Sequence, residues 1–253
     1  MELELKSRED LEHMRRAGQI VAEVLQRLQQ EVRPGVTTLE LDRIAEEMTR
    51  KRGAVPAFKG YRVGDRVFPA SLCVSINEEV VHGIPSARVL HEGDIVGLDF
   101  GVVIDGYYGD AAVTVPVGRV SEKAMHLVKA TKESLWAGIQ TIQVGKRLGD
   151  LSHAIQSAAE SAGLSVVREF VGHGIGRHLH EEPQVPNFGE PGKGRLLREG
   201  MVLAIEPMLN LGEAGVMVQS DGWTAVTRDG SLSAHFEHSV AVTAGGPVVL
   251  TAL

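Results

Sequence analysis

A single cysteine, Cys73, stands in 253 residues. It excludes an internal disulfide and a cysteine-built zinc site, and it fits a reducing compartment. There is no basic excess: 26 Lys and Arg face 33 Asp and Glu, for a formal net charge of −7. Arg50-Lys51-Arg52 is the one basic run of that length, so nucleic acid is not expected as a partner. Nor does any apolar stretch reach the roughly 20 residues that span a bilayer. The longest uncharged segment, His238–Leu253, is interrupted by Gly245-Gly246-Pro247. The opening MELELKSRED carries charges where an export signal needs an apolar run. A soluble, cytoplasmic chain without membrane association is expected.

What is present is ordinary globular material, 43% apolar and 23% charged, long enough for one or two domains with a real core. Ser7 with Asp10 opens a helix whose apolar stripe runs from Leu11 to Leu28 and stops at Pro34-Gly35. Thr37 with Glu40 opens a second, and Gly53 sits at its left-handed end. Leu72, Val74 and Ile76 alternate as in a strand, and Ile95 to Val115 reads as a hairpin about Asp105-Gly106. Helices are expected from Ser121 to about Ile142 and from Asp150 to about Ala162.

The second half replays the first. Gly35, Leu41 and Gly53 answer to Gly145, Leu151 and Gly163 at a constant offset. VVHGIP from Val80 answers to VGHGIG from Val171, LHEGDIVGLD from Leu90 to LREGMVLAIE from Leu197, and DAAVTV from Asp110 to EHSVAV from Glu237. Offsets differ between blocks, which implies loop insertions. The expectation is one domain over 1–253, made of two related α/β halves, roughly 1–120 and 121–253, around a shared sheet.

The repeat places four carboxylates at two pairs of corresponding positions. In the hairpin, Ile104 pairs with Tyr107 and Gly101 with Asp110, which sets Asp99 diagonal to Asp110 on the same face, at most about 7–8 Å away between backbones. Two such carboxylates repel unless a cation lies between them. For the two aspartates alone, a surface strand residue and a turn anchor is the plainer reading. Glu206 and Glu237 follow apolar residues that predict burial, and a buried carboxylate needs a cation, a donor or a proton. His173 lies between glycines that leave its imidazole room to turn. Four carboxylates and a histidine suit a pair of divalent ions of the manganese, iron, cobalt or zinc kind.

With these residues in place, the chain resembles the type I methionine aminopeptidases of the pita-bread metallopeptidases. The resemblance rests on INEEVVHGIP, VGLDFGVVIDGYYGDAA, VGHGIGRHLHEEPQVPNFGEPG, LREGMVLAIEPM and SLSAHFEHSVAVT, and spans nearly the whole chain. It implies the pita-bread fold, two pseudo-twofold-related α/β halves with a shared curved antiparallel sheet flanked by helices. It implies Asp99, Asp110, His173, Glu206 and Glu237 as ligands of two divalent metals, with Asp110 and Glu237 bridging. A metal-activated hydroxide would then attack the first peptide carbonyl, with Glu206 as proton acceptor. His180 would hydrogen-bond the scissile carbonyl oxygen and His82 would lie near the scissile nitrogen. Phe58, Tyr61, Phe68, Cys73 and Trp223 fall where the family builds its slot for methionine. The sequence departs from familiar members in the expanded GYRVGDRVF stretch between Tyr61 and Phe68, and in Leu179 where an aromatic often stands. Asn77 and Ser233 match positions that hold a monovalent cation in some relatives.

The resemblance also implies a nascent polypeptide N-terminus as substrate, a small second residue, the ribosome as a partner and a monomer. Thirty-odd residues between Glu206 and Glu237, and no Cys- and His-rich extension, point to the minimal form without the type II insert. His178 and His238 match no family role. The remaining five histidines, His91, His126 and His153 among them, read as solvated. Rival readings are an Xaa-proline aminopeptidase or dipeptidase on the same fold, a binding protein that lost catalysis, and a calcium-stabilised module.

Overall fold

Ser7 and Thr37 cap helices as their patterns predict. In the computed structural model, which describes residues 3–252, Ser7 accepts from the Asp10 N–H and Asp10 accepts in return, opening α1, Arg8–Glu31. Thr37 and Glu40 do the same for α2, Thr38–Lys51. Ser121 caps α3, Glu122–Gln140. The fourth helix, α4, Leu148–Ser161, starts two residues before Asp150. Asp150 is its third residue, and its carboxylate accepts the Arg147 N–H at 2.8 Å, so the acid closes the first turn from inside it.

The main sheet has nine strands, all pairs antiparallel. Its centre is the hairpin Ile95–Ile104 and Tyr107–Pro116, joined through the second strand to Glu237–Thr243, then to Val202–Ile205, Gly172–Gly174 and Glu181–Val185. Cys73–Ile76 and Val55–Pro56 add to the first side, and Gly246–Val249 to the second. The hairpin has the expected register, Ile104 with Tyr107 and Gly101 with Asp110.

Hydrogen bonds recur at the repeated positions. The Gly35 N–H donates to the Leu90 carbonyl at 2.9 Å and the Gly145 N–H to that of Leu197 at 3.0 Å. Gly35 and Gly145 have φ of +93° and +91°, a conformation in which a Cβ would be strained. On one face of the sheet, Leu98, Phe100, Val102 and Ala111 pack with α1 and α2, and Leu203, Ile205, Val240 and Val242 pack with α3 and α4. The strand predicted by alternation at Leu72–Ile76 forms over Cys73–Ile76, but all four residues are buried. Val74 and Ile76 join the helix-side core, while Cys73 belongs to a cluster on the opposite face.

That opposite face positions the candidate site. Cys73 pairs with Asp99, Asp99 with Ala112 and Ala112 with Glu237, a single row across four strands. Asp110 lies two residues from Ala112, and His173 pairs with Ala204, two residues from Glu206. Since residues opposite each other, and those two apart, share a face, all five expected ligands project to one side. No helix among the described residues is long and apolar enough to cross a membrane.

Candidate active site

The ligand candidates come from strand positions or the residue just after one. Asp99, Asp110, His173 and Glu237 lie within strands, and Glu206 directly follows Ile205. Small neighbours make the space. A Cβ on Gly101 would sit 3.1 Å from Asp110 Oδ1 and 3.0 Å from Phe58, and the buried Ala112 and Ala204 fill no more than a methyl group.

These residues line a cavity of about 300 Å³. All twelve residues expected at the site line it, with Val63 and Leu179 in addition. The structure therefore brings together the acids, the three histidines His82, His173 and His180, and the apolar set Phe58, Tyr61, Phe68, Cys73 and Trp223.

At the acidic end, one ligand atom each of Asp110, His173 and Glu237 lies within 4.8 Å of the others. Glu206 reaches to 3.5 Å from His173 Nε2. Asp99 Oδ1, Asp110 Oδ1 and Glu237 Oε1 are buried without a hydrogen-bond partner, a costly state for polar atoms. Burial raises the Asp99 pKa to about 7. Burial, then the charges of Asp99 and Glu206, pushes Asp110 well above the carboxylate range. Glu206 is raised by burial and by Asp99, and Glu237 by burial and then Asp110, Glu206 and Asp99. Orphaned buried oxygens and crowded acids beside an imidazole fit divalent cations, which would satisfy the former and relieve the latter.

The two adjacent imidazoles have different partners. The His173 Nδ1–H donates to the Gly174 carbonyl at 2.8 Å, which leaves the Nε2 lone pair for a metal. Burial, then the neighbouring His180, lowers its pKa to about 3, so it is neutral. The His180 ring lies 4.3 Å from it, centroid to centroid. His180 is open to the cavity, and its Nδ1 is 2.8 Å from the Tyr61 hydroxyl. Burial, then Tyr108, raises the Tyr61 pKa, so the hydroxyl keeps its proton and can donate to Nδ1; in that tautomer the imidazole proton sits on Nε2. His82 has φ +62°, is edge-on to Phe170 at 5.5 Å, and is lowered to about 4, first by burial and then by His180.

At the apolar end, the stretch between Tyr61 and Phe68 folds as a small hairpin, Arg62–Val63 with Arg66–Val67, that supplies Val63 to the cavity wall. Phe68 meets Trp223 edge-on at 5.3 Å. Arg66 donates to the Gly222 carbonyl and lies over the Trp223 ring at 5.6 Å. Asp221 ties down the same turn by accepting from the N–H groups of Trp223 and Thr224 at 2.8 and 2.9 Å. Leu179, smaller than an aromatic, lines the slot directly.

One histidine reading is corrected. His91, His126 and His153 are exposed, but His235, among those read as solvated, is 3% exposed. Its Nε2 lies 3.7 Å from Glu206 Oε2 and has no hydrogen-bond partner. Burial, then His82, lowers its pKa to about 3. Its strand, Ser233–His235, is buried throughout and pairs with Met208–Asn210 just after Glu206. His178 is exposed, and His238 Nδ1 bonds the Thr251 hydroxyl at 2.9 Å. Asn77 and Ser233 meet through the Ser233 N–H and the Asn77 carbonyl at 2.9 Å. Between Glu206 and Glu237 the described residues form only short strands.

Residues 12–244 match metallopeptidase family M24. The chain is 54% identical to a methionine aminopeptidase of Clostridium acetobutylicum over 98% of both chains. It is 50% identical to methionine aminopeptidase 1 of Bacillus subtilis, over 97% of this chain and 98% of that one. A crystal structure of a methionine aminopeptidase from Thermotoga maritima superposes with a TM-score of 0.97 at 48% identity, covering 100% of both chains.

Proposed function

The chain belongs to metallopeptidase family M24, and from that premise we propose that it is an aminopeptidase removing the N-terminal methionine of nascent polypeptides. Asp99, Asp110, His173, Glu206 and Glu237 would together hold two divalent ions, Asp110 and Glu237 contributing to both. The observation that carries this reading is the continuity of one cavity, orphaned acids at one end and an aromatic slot at the other. When bound, the ions supply water acidified to near neutrality and an anchor for the substrate's free α-amino group.

The chain's own residues do the rest. Glu206, 3.5 Å from His173 Nε2 at the acidic end, would take a proton and return it to the departing amine. His180, as the Nε2–H tautomer that a donating Tyr61 hydroxyl favours, would donate to the scissile carbonyl oxygen as charge develops there. His82, edge-on to Phe170, would lie near the scissile nitrogen, and a small second residue would be preferred beside it. Phe58, Phe68, Cys73 and Trp223 enclose the thioether with aromatic and sulfur contacts. A monovalent cation at the Asn77–Ser233 junction, action on chains emerging from the ribosome in the cytoplasm, and one monomeric catalytic unit built from both repeated halves complete the proposal.

The test is hydrolysis of Met-Gly-Met-Met and Ala-Pro-Ala by chelator-stripped protein, before and after manganese or cobalt is added. Metal-dependent release of methionine from the first peptide alone supports the reading. Cleavage before proline moves the chain to the prolidase-like branch, and silence on both supports a binding protein.

A further inference from the structure

Lys6 lies outside the cavity, yet its side chain is only 1% exposed. Its Nζ is 2.7 Å from Glu181 Oε2 and 3.3 Å from Glu4, and its backbone N–H donates to the Gly200 carbonyl at 2.7 Å. Glu181 directly follows His180 and opens the strand Glu181–Val185. Its other oxygen accepts the His178 N–H at 3.0 Å, so one carboxylate closes the chain from His178 to Glu181 on itself and ties it to Lys6. On the other side of His180, Arg177 donates to Asp10 at 3.2 Å and stacks on the Tyr107 ring at 4.5 Å. The loop is cut to admit the lysine: a Cβ on Gly176 would stand 2.2 Å from Lys6 Cε. The segment Glu4–Asp10 thus grips the His180 loop at Arg177 and at Glu181, and touches neither metal-ligand candidate nor substrate slot by these bonds.

We propose that Lys6 is a positioning residue for His180: its buried ion pair with Glu181 holds the loop 175–180 so that the imidazole meets the substrate carbonyl. The proposal rests on the role given to His180 above. A charge left buried without its partner drives local rearrangement, and a misplacement of about 1 Å at a reacting group costs on the order of a hundredfold in rate.

The experiment measures kcat, KM and bound manganese with Met-Gly-Met-Met for the native chain, Lys6→Met, Lys6→Arg, His180→Ala and the double variant Lys6→Met/His180→Ala. Lys6→Met is expected to lower kcat about tenfold to a hundredfold with KM and manganese content unchanged, and Lys6→Arg to recover most of it. In the His180→Ala background Lys6→Met has no further effect, because the two act through one group. Equal slowing in both backgrounds, or loss of manganese with Lys6→Met, overturns the positioning role while leaving that of His180 intact. Native turnover by His180→Ala overturns both. Should Lys6→Met fail to fold, Glu181→Gln, which keeps an acceptor for His178, takes its place in the same cycle.

Discussion

The two ends of the cavity are built by different means. The acidic end is strand-built: Cys73, Asp99, Ala112 and Glu237 form a paired row, and a one-residue slip would turn every one of them to the helix side. The apolar end hangs largely on connections, a hairpin of two-residue strands at Arg62–Val67 and a turn at Gln219–Thr224, held by Arg66 on Gly222 and Trp223. Charge placed in a sheet is fixed to fractions of an ångström by backbone bonds, which metal coordination needs. A side-chain slot tolerates the looser aim of loops, and can be reshaped without disturbing the buried acids.

Breaking the strand-built end has the largest expected effect. Asp110→Ala or Glu237→Ala is predicted to remove bound metal and lower kcat/KM by about a thousandfold or more, since metal stabilisation is worth several kcal/mol. Circular dichroism should still show a folded chain. His180→Ala, at the junction of the two ends, should keep its metal by elemental analysis and slow turnover by about a hundredfold to a thousandfold. A fully active His180→Ala protein would contradict its assigned role. Arg66→Ala probes the loop-built end alone: KM for methionyl peptides should rise roughly twofold to fivefold, as expected for an exposed cation–π contact, with kcat and metal content kept.

The smallest effect concerns stability and is confined to the acidic end. Raised pKa values, about 7 for Asp99 and higher than normal for Asp110, Glu206 and Glu237, mean that the folded metal-free chain binds more protons than the unfolded one. Stability present at low pH is then lost as pH rises through those values. His82, His173 and His235, lowered to about 4, 3 and 3, have the opposite sign and act only below about pH 6.5. Between pH 6.5 and 8 the Tm of stripped protein should fall by a few degrees, and that of the manganese-loaded protein should not. Equal pH dependence of the two forms would separate the acids from metal binding.

The same contrast decides what could be read from sequence. Asp99 and Asp110 were legible because a two-residue turn at Asp105-Gly106 fixes register, and register fixes face. Thr37 and Glu40 gave the start of α2 by the same local logic. The pairing of Glu237 with Ala112, which brings the two halves together, is long-range; the repeat pointed to a shared sheet but to no register between the halves. His235 was missed because three residues of strand give too little alternation to distinguish a buried face from a solvated one. The contacts of Arg66 with the Trp223 turn and of Lys6 with Glu181 join segments far apart in the chain, and nothing local in either partner announces the other.

Whether the paired row of acids is built for divalent cations is decided by calorimetric titration of manganese into chelator-stripped protein, alongside Glu237→Ala. Two saturable equivalents are expected for the native chain, with that binding lost in the variant; no binding to the native chain, or binding that the variant leaves unchanged, would show that the acids serve another purpose.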